Sequence, residues 1–388
     1  MRILLLTPRL PWPPVDGGRI AMARLAESLA AAGAEVEVLS MNPRKHRGSA
    51  SAAPMPTQAV DIDTSRVIAP LARALRERLP YVVARFVSRE FERALEATMR
   101  RFRPDVVQVE SPFLMPYAAR ISAPVALRTL NVEFRIWEGL ARNERNPLRR
   151  FALARVAASL RKYELQQVSC VQGLVTISEE DAADFHALGA KVPMHVAPCS
   201  MPLPALGGDE PERNTVGFIG SLDFRPNQEA VQWIVDELWP RVVARAPEAR
   251  LSIAGSSPPE WLLRHARERG VEIAADIADA QAFVRRMSVV IAPLFAGGGM
   301  RIKVLEAMAL AKPIVATTIG AGGIDARHEQ ELLIADDADS FADSVVRLLR
   351  DRDLASRLGA AARARVAERY DGETIARGLL RFYESLPR

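Results

Sequence analysis

Residues 295–309 read Phe295-Ala-Gly-Gly-Gly-Met-Arg-Ile-Lys-Val-Leu-Glu-Ala-Met-Ala309. They come after an apolar run at 289–292 with the length of a buried strand, and they open a helix expected over 301–310. A helix N-terminus has unpaired N–H groups and the positive end of the helix dipole, so it can hold a diphosphate. Gly298 and Gly299 let phosphate approach the backbone closely. Arg301 and Lys303 add positive charge, although a cation in a first helical turn opposes the dipole unless an anion is present. Lys303 and Glu306 are three residues apart and share a helix face. Glu306, about one turn in, is placed to accept from two ribose hydroxyls. The alternative is a flexible glycine turn before a surface glutamate.

The alternation of strand and helix extends outward from this block in both directions. Strands are expected at 216–219, 250–254, 271–274, 289–292 and 313–317, with a helix from about 227 to 244 and another at 339–350. Residues 198–215 hold prolines, glycines and charges with little apolar periodicity and read as a linker. Before them come strands at 3–7, 36–40, 106–109, 125–128 and 173–177. Helices are expected at 19–32, ending at Gly33, at 147–168, and from Glu179 with Ser178 as its cap. Residues 43–58, with the basic cluster Arg44, Lys45, His46 and Arg47, read as a solvated loop. The stretch 71–101 reads as amphipathic helix broken near Pro80. Two alternating halves give an α/β fold of two doubly wound, Rossmann-like domains, 1–200 and 201–372, with a last helix at 373–388 crossing back to the first. Such sheets bind ligands at strand C-terminal ends. No solenoid period is visible.

The 388 residues suit two domains, and 49% hydrophobic with 26% charged residues lets each bury a core. Lys plus Arg number 52 against 47 Asp plus Glu, a charge of +5 that suits a nucleoside diphosphate or an anionic membrane surface. The arginine-rich face at 73–103 is a solvated surface or, alternatively, a peripheral membrane contact. No zinc-finger spacing or ribonucleoprotein motif points to nucleic acid. Two cysteines, Cys170 and Cys199, exclude a disulfide scaffold and read as buried thiols. The apolar run at the N-terminus is too short for a signal core, and no stretch is long enough to span a bilayer, so a cytoplasmic location is expected. The five histidines show no paired spacing, and no hydrolase elbow or Walker loop is present.

Residues 290–323, VIAPLFAGGGMRIKVLEAMALAKPIVATTIGAGG, closely resemble the donor-binding stretch of retaining glycosyltransferases of the family-4 type, which have the GT-B fold. GFIGSLDFRPNQEAVQWIVDELWP at 217–240 resembles them too. PWPPVDGG at 11–18 is similar to that family's first glycine loop, and 130–144 and 175–185 to its N-domain signatures. The resemblance runs over nearly the whole chain. It implies two domains facing a central cleft. Glu306 matches the second glutamate of the family's Glu-seven-residues-Glu motif, which binds the ribose; the first falls at Gly298. The family's Arg and Lys after the first strand of the second domain stabilise the leaving diphosphate. Here Ser221 occupies the Arg position, Arg225 stands in for the Lys, and Arg301 and Lys303 compensate. The N-domain histidine has no match, since Leu130 precedes Asn131 and Glu133.

The resemblance implies transfer of a sugar, with retention, from a nucleotide-sugar to a glycan or lipid-linked acceptor in cell-surface polysaccharide synthesis. The implied catalytic groups are Arg225, Arg301 and Lys303. Gly17, Gly18, Ser221, Gly298, Gly299 and Glu306 face the donor, and Asn131 and Glu133 the acceptor. Locally, Gly17 and Gly18 also read as an ordinary tight turn, Asp16 as a helix-entry residue, and Glu133 as a surface charge. No cofactor beyond the donor substrate and no metal is expected, because no Asp-x-Asp is read at a strand end. Two rivals stay open: a nucleotide-sugar epimerase of the same fold, and a non-catalytic partner of a polysaccharide assembly complex.

Overall fold

A computed structural model describes residues 1–44, 47–65, 67–144, 146–207 and 211–387. Lys45 and His46 of the basic loop, and residues 208–210 of the linker, lie outside the described residues. Contacts divide the chain into two units. The first comprises Met1–Ser200, Gly298–Met300 and the residues from Gly372 on; the second comprises Met201–Gly297 and Arg301–Asp371.

The first unit is built on a parallel sheet with the order β3-β2-β1-β4-β5-β6-β7. The strands are β1 (Arg2–Thr7), β2 (Glu35–Pro43), β3 (Thr57–Ile62), β4 (Val106–Val109), β5 (Val125–Thr129), β6 (Gly173–Thr176) and β7 (Met194–Val196). Its helices are α1 (Gly17–Ala31), α2 (Ile68–Glu77), α3 (Tyr81–Ala84), α4 (Arg89–Phe102), α5 (Glu133–Asn143), α6 (Pro147–Val168) and α7 (Glu179–Ala187). The central strands are apolar runs because both faces are covered. Ile3 and Leu5 face one core layer and Leu4 and Leu6 the other, all four buried. Strand order reverses between β1 and β4, the crevice where open α/β sheets bind ligands. Caps fix the helix starts. Asp16 accepts from the Arg19 N–H, Ser88 from Phe91, and Ser178 from Asp181.

The second unit repeats the scheme with the order β10-β9-β8-β11-β12-β13. Its strands are β8 (Thr215–Ile219), β9 (Arg250–Gly255), β10 (Ile273–Ala275), β11 (Val289–Ala292), β12 (Ile314–Ala316) and β13 (Leu333–Ile334). The helices are α8 (Arg225–Trp233), α9 (Trp239–Arg245), α10 (Glu260–Arg267), α11 (Ala280–Arg286), α12 (Ile302–Ala309), α13 (Ala338–Arg350) and α14 (Arg352–Arg369). A π-helical turn at Ile234–Leu238 joins α8 to α9. The chain then adds α15 (Gly372–Glu384), which packs Ile375, Ala376, Leu379 and Tyr383 into the α1 layer of the first unit. No helix among the described residues is long and apolar enough to cross a membrane.

The expected elements shift in instructive places. Residues 43–58 are not wholly loop, since β2 runs to Pro43 and β3 starts at Thr57. β3 is a half-exposed edge strand, TQAVDI, so it lacks the apolar run that marks its neighbours. One consequence corrects the sequence reading: Asp61-Ile-Asp63 does lie at a strand end. Asp61 is ion-paired to Arg47 at 2.8 Å and accepts from Asn42, while Asp63 accepts from Ser65. The amphipathic stretch at 71–101 divides into three helices, with Arg78 left-handed before Pro80. Of the two cysteines, only Cys199 is buried; Cys170 is exposed.

A wholly buried polar group ties the first unit's sheet to α1 and α15. Arg128 Nη1 meets Glu110 at 2.9 Å and reaches the Ala21 carbonyl at 3.4 Å; both side chains are fully inaccessible. Gln108 donates to Glu110 and accepts from the Tyr383 hydroxyl. Removing one partner of a buried pair leaves a desolvated charge, which costs about 3–5 kcal/mol. Glu110→Ala is therefore expected to lose that much stability in denaturant unfolding. A loss below about 1 kcal/mol would mean that water or another group solvates Arg128.

Candidate functional site

The second unit's strand order reverses between β8 and β11, so the loops after these two strands border one crevice. The loop after β11 carries the three glycines. Gly297 and Gly299 have φ of +124° and +65°, conformations that side chains rarely adopt. A Cβ at Gly299 would also collide with the Leu130 carbonyl and the Asn131 side chain. Gly298 is different: its φ is not left-handed, and an added Cβ would meet nothing closer than 3.6 Å. A Cβ is therefore accommodated at Gly298 without a clash. Gly298 and Gly299 group with Asn131 in the first unit, whereas Arg301–Asp371 group with the second.

Lys303 lies in the first turn of α12 and reaches the loop after β8. Its Nζ donates to Asn227 Oδ1 at 2.6 Å and stands 4.6 Å from the centre of the Phe218 ring. Asn227 in turn donates to the Ser221 carbonyl at 2.8 Å. Gly220 leaves the room, since a Cβ there would lie 2.6 Å from the Lys303 ammonium. An ammonium has three donors, and one has a hydrogen-bond partner among the described residues. Burial, helped by the Arg301 charge and opposed by Glu306, pushes the lysine down to about 7. Glu306 is half-buried one turn along the same helix. Arg301 is the residue before α12, and its Nε donates to the Ile319 carbonyl at 3.2 Å.

Arg225 behaves otherwise. It opens α8, exposed, and its Nε pairs with Glu229 at 2.8 Å along its own helix. Lys303, from the other side of the crevice, is the cation that meets the Ser221 loop. The residue the sequence did not single out is Asn227. Its signal is a buried amide in a first helical turn, directly after Pro226.

In the first unit, Gly17 and Gly18 are the opening residues of α1, after β1. Their helix end already holds a carboxylate: Asp16 caps it and is ion-paired to Arg9 at 2.9 Å. Asn131 lies just beyond β5. Glu133 opens α5 and is half-buried rather than a free surface charge. Burial raises its carboxyl to about 7, with Arg9 opposing. The wholly buried Glu164 of α6 caps that helix, accepting from the Glu133 and Phe134 N–H groups at 3.2 Å each. Burial and the nearby Glu133 charge raise Glu164 to about 8, against those two bonds. Among the described residues no cluster of three His, Cys, Asp or Glu is placed to hold a metal.

A lysine lowered to about 7 is charged below that pH and neutral above it, and a bound diphosphate favours the charged form. Affinity for a nucleoside diphosphate is expected to fall toward about tenfold per pH unit between pH 7 and 9. In Lys303→Met the affinity should be weaker and flat over that range. Calorimetry at several pH values reads both; a slope that survives in the variant would assign the titration to another group.

Comparison with known proteins places these features in company. Residues 213–351 match the family described as glycosyl transferases group 1, and residues 16–200 match the glycosyl transferase 4-like domain. A 44.6 kDa protein in the cps region of Klebsiella pneumoniae is 20% identical over 391 residues, covering 96% of this chain and 97% of that protein. The phosphatidyl-myo-inositol mannosyltransferase of Mycobacterium leprae is 31% identical over 192 residues, 47% of this chain and 50% of its own length. Anabaena HepE, crystallised with UDP-glucose, superposes with a TM-score of 0.70 at 14% identity, covering all of both chains. The two parallel sheets and their helices are those of the GT-B fold.

Proposed function

The chain belongs to the group 1 glycosyltransferases, and on that premise we propose that it moves a sugar, with retention, from a nucleoside diphosphate-sugar to a glycan or lipid-linked acceptor. The setting is cell-surface polysaccharide synthesis in the cytoplasm, at the membrane where the acceptor is lipid-linked. The second unit takes the donor and the first the acceptor. The observation that carries the reading is Lys303. It is a partly buried cation, held at a crevice between β8 and β11 by one neutral amide, with no carboxylate bonded to it among the described residues. A diphosphate supplies the missing acceptors.

In the transfer, the bond from the anomeric carbon to the diphosphate oxygen breaks and the acceptor oxygen bonds to that carbon. Negative charge collects on the departing diphosphate. Lys303 and the first N–H groups of α12 meet that charge, and their fixed placement makes them effective. Glu306 takes the ribose hydroxyls. Retention requires the acceptor to enter on the face the diphosphate leaves, and its proton goes to the diphosphate oxygen. Protein groups do this without a metal. The relatives support the setting: the Klebsiella protein is from a cps region, the Mycobacterium relative is a mannosyltransferase, and HepE was crystallised with UDP-glucose.

Lys303→Ala is expected to lower the transfer rate by roughly 10²–10³, as for loss of one transition-state donor. It should weaken nucleoside diphosphate binding far more than monophosphate binding. Glu306→Gln should weaken both nucleotides by about 1–3 kcal/mol while the fold persists. Equal losses for mono- and diphosphate in Lys303→Ala would remove the lysine from the diphosphate. The bare Gly298 position favours a second reading, a non-catalytic sugar-nucleotide-binding partner. Donor binding without release of nucleoside diphosphate, across mixed glycan and lipid-linked acceptors, would select it.

A further inference from the structure

Helix α6 carries Arg149, Arg150, Arg155, Arg161 and Lys162, all exposed, while its one acidic residue, Glu164, is wholly buried. Among the described residues none of the five meets a carboxylate. Two are held instead by aromatic faces, Arg155 over Phe151 and Arg161 over Phe134. The helix start adds two large apolar side chains in water, Leu148 at 82% and Phe151 at 65% exposure. A groove of about 630 Å³ lies between α5 and α6, with Ala141 and Ala157 buried in it, Arg142, Arg161 and Lys162 exposed along it, and Glu138 its one acid.

The arginine-rich stretch 73–103 is built differently. Arg73 donates to the Val87 carbonyl, Arg85 to Thr64, and Arg101 is bound to Glu37. Helix α2 exposes Ile68, Leu71 and Leu75, but Arg73 and Arg76 there share Glu77. Arg89, Arg93, Arg100 and Arg103 of this stretch also meet no carboxylate among the described residues, but α4 buries its apolar face, whereas α6 sets its cations beside the exposed Leu148 and Phe151.

We infer that the α5–α6 hairpin is a docking surface for an anionic phospholipid bilayer. Leu148 and Phe151 enter the headgroup boundary and the α6 cations face lipid phosphates. At the start of α6, exposed apolar side chains and cations lie within one turn of each other, so apolar burial and attraction to anionic lipid act at one place. A second copy of the chain would set these five cations against five more. The inference rests on the lipid-linked arm of the proposed function. Its test uses neither donor nor acceptor, so its failure leaves sugar transfer standing.

Flotation of the full chain with phosphatidylcholine vesicles, with and without phosphatidylglycerol, reads the association directly. The protein is expected to float only with the anionic vesicles and to be released by salt. Arg149→Ala with Arg150→Ala should lower partitioning about 25-fold, near fivefold per cation. Leu148→Ser with Phe151→Ser should lower it about tenfold or more, and Leu75→Ser on α2 should leave it within about twofold. All these side chains are exposed, and unchanged melting by circular dichroism checks that the variants fold. Undiminished flotation of either hairpin variant overturns the inference. So does an equal loss in Leu75→Ser, failure of the wild type to float with anionic vesicles, or its preferential capture by single-stranded RNA at the same salt.

Discussion

The bond from Lys303 to Asn227 sets the terms for the second unit's crevice. To make it, the chain must turn sharply after β11, start α12 at once, and leave the end of β8 bare. Gly297 and Gly299 provide the turn, and Gly220 clears the path of the ammonium. The adjacency of β8 and β11 at the strand-order reversal brings the two loops together. A cation drawn into such a place loses hydration that one amide and one aromatic face do not replace. The crevice is therefore biased toward anions before any ligand arrives.

The two units use the same scaffold with different groups at the helix start. Both have glycines near a helix start beside the reversal of strand order. In the first unit the helix end is satisfied internally by the Asp16 carboxylate, itself paired with Arg9. In the second, the first turn of α12 carries Lys303, and Arg301 precedes it. The helix start of the first unit holds a resident anion, and that of the second holds cations. The nearby carboxyls of the first unit, Glu133 and Glu164, are held toward their neutral forms by burial.

Much of this was legible from one chain because doubly wound sheets leave strong periodic marks. The central strands are short apolar runs, although their order within each sheet had to come from the structure. β3, β7 and β13 were not legible, since an edge strand buried on one side or only two or three residues long has no such run. Helix α5 was hidden for another reason: its start lacks a local cap, and Glu164, thirty-one residues on from Glu133, supplies it. At the site, the glycine turn and Lys303 were readable from spacing. Arg225 was not readable in the same way. Its charge was visible, but the pairing with Glu229 one turn along depends on a rotamer that sequence does not specify. Asn227 was missed because an amide carries no charge to notice.

Helix α15 has a consequence for how the chain is made. Ile375, Ala376, Leu379 and Tyr383, with Leu386 after the helix, complete a core layer whose other members lie between Ile3 and Ala197. Tyr383 also closes the buried polar group around Gln108. A ribosome building this chain finishes residues 201–371 before it supplies that helix. The first unit therefore cannot close its core until the last residues of the chain have been made, and one face of its sheet stays partly uncovered until then. The N-terminal half, made first and completed last, is the one exposed longest to chaperones and to aggregation.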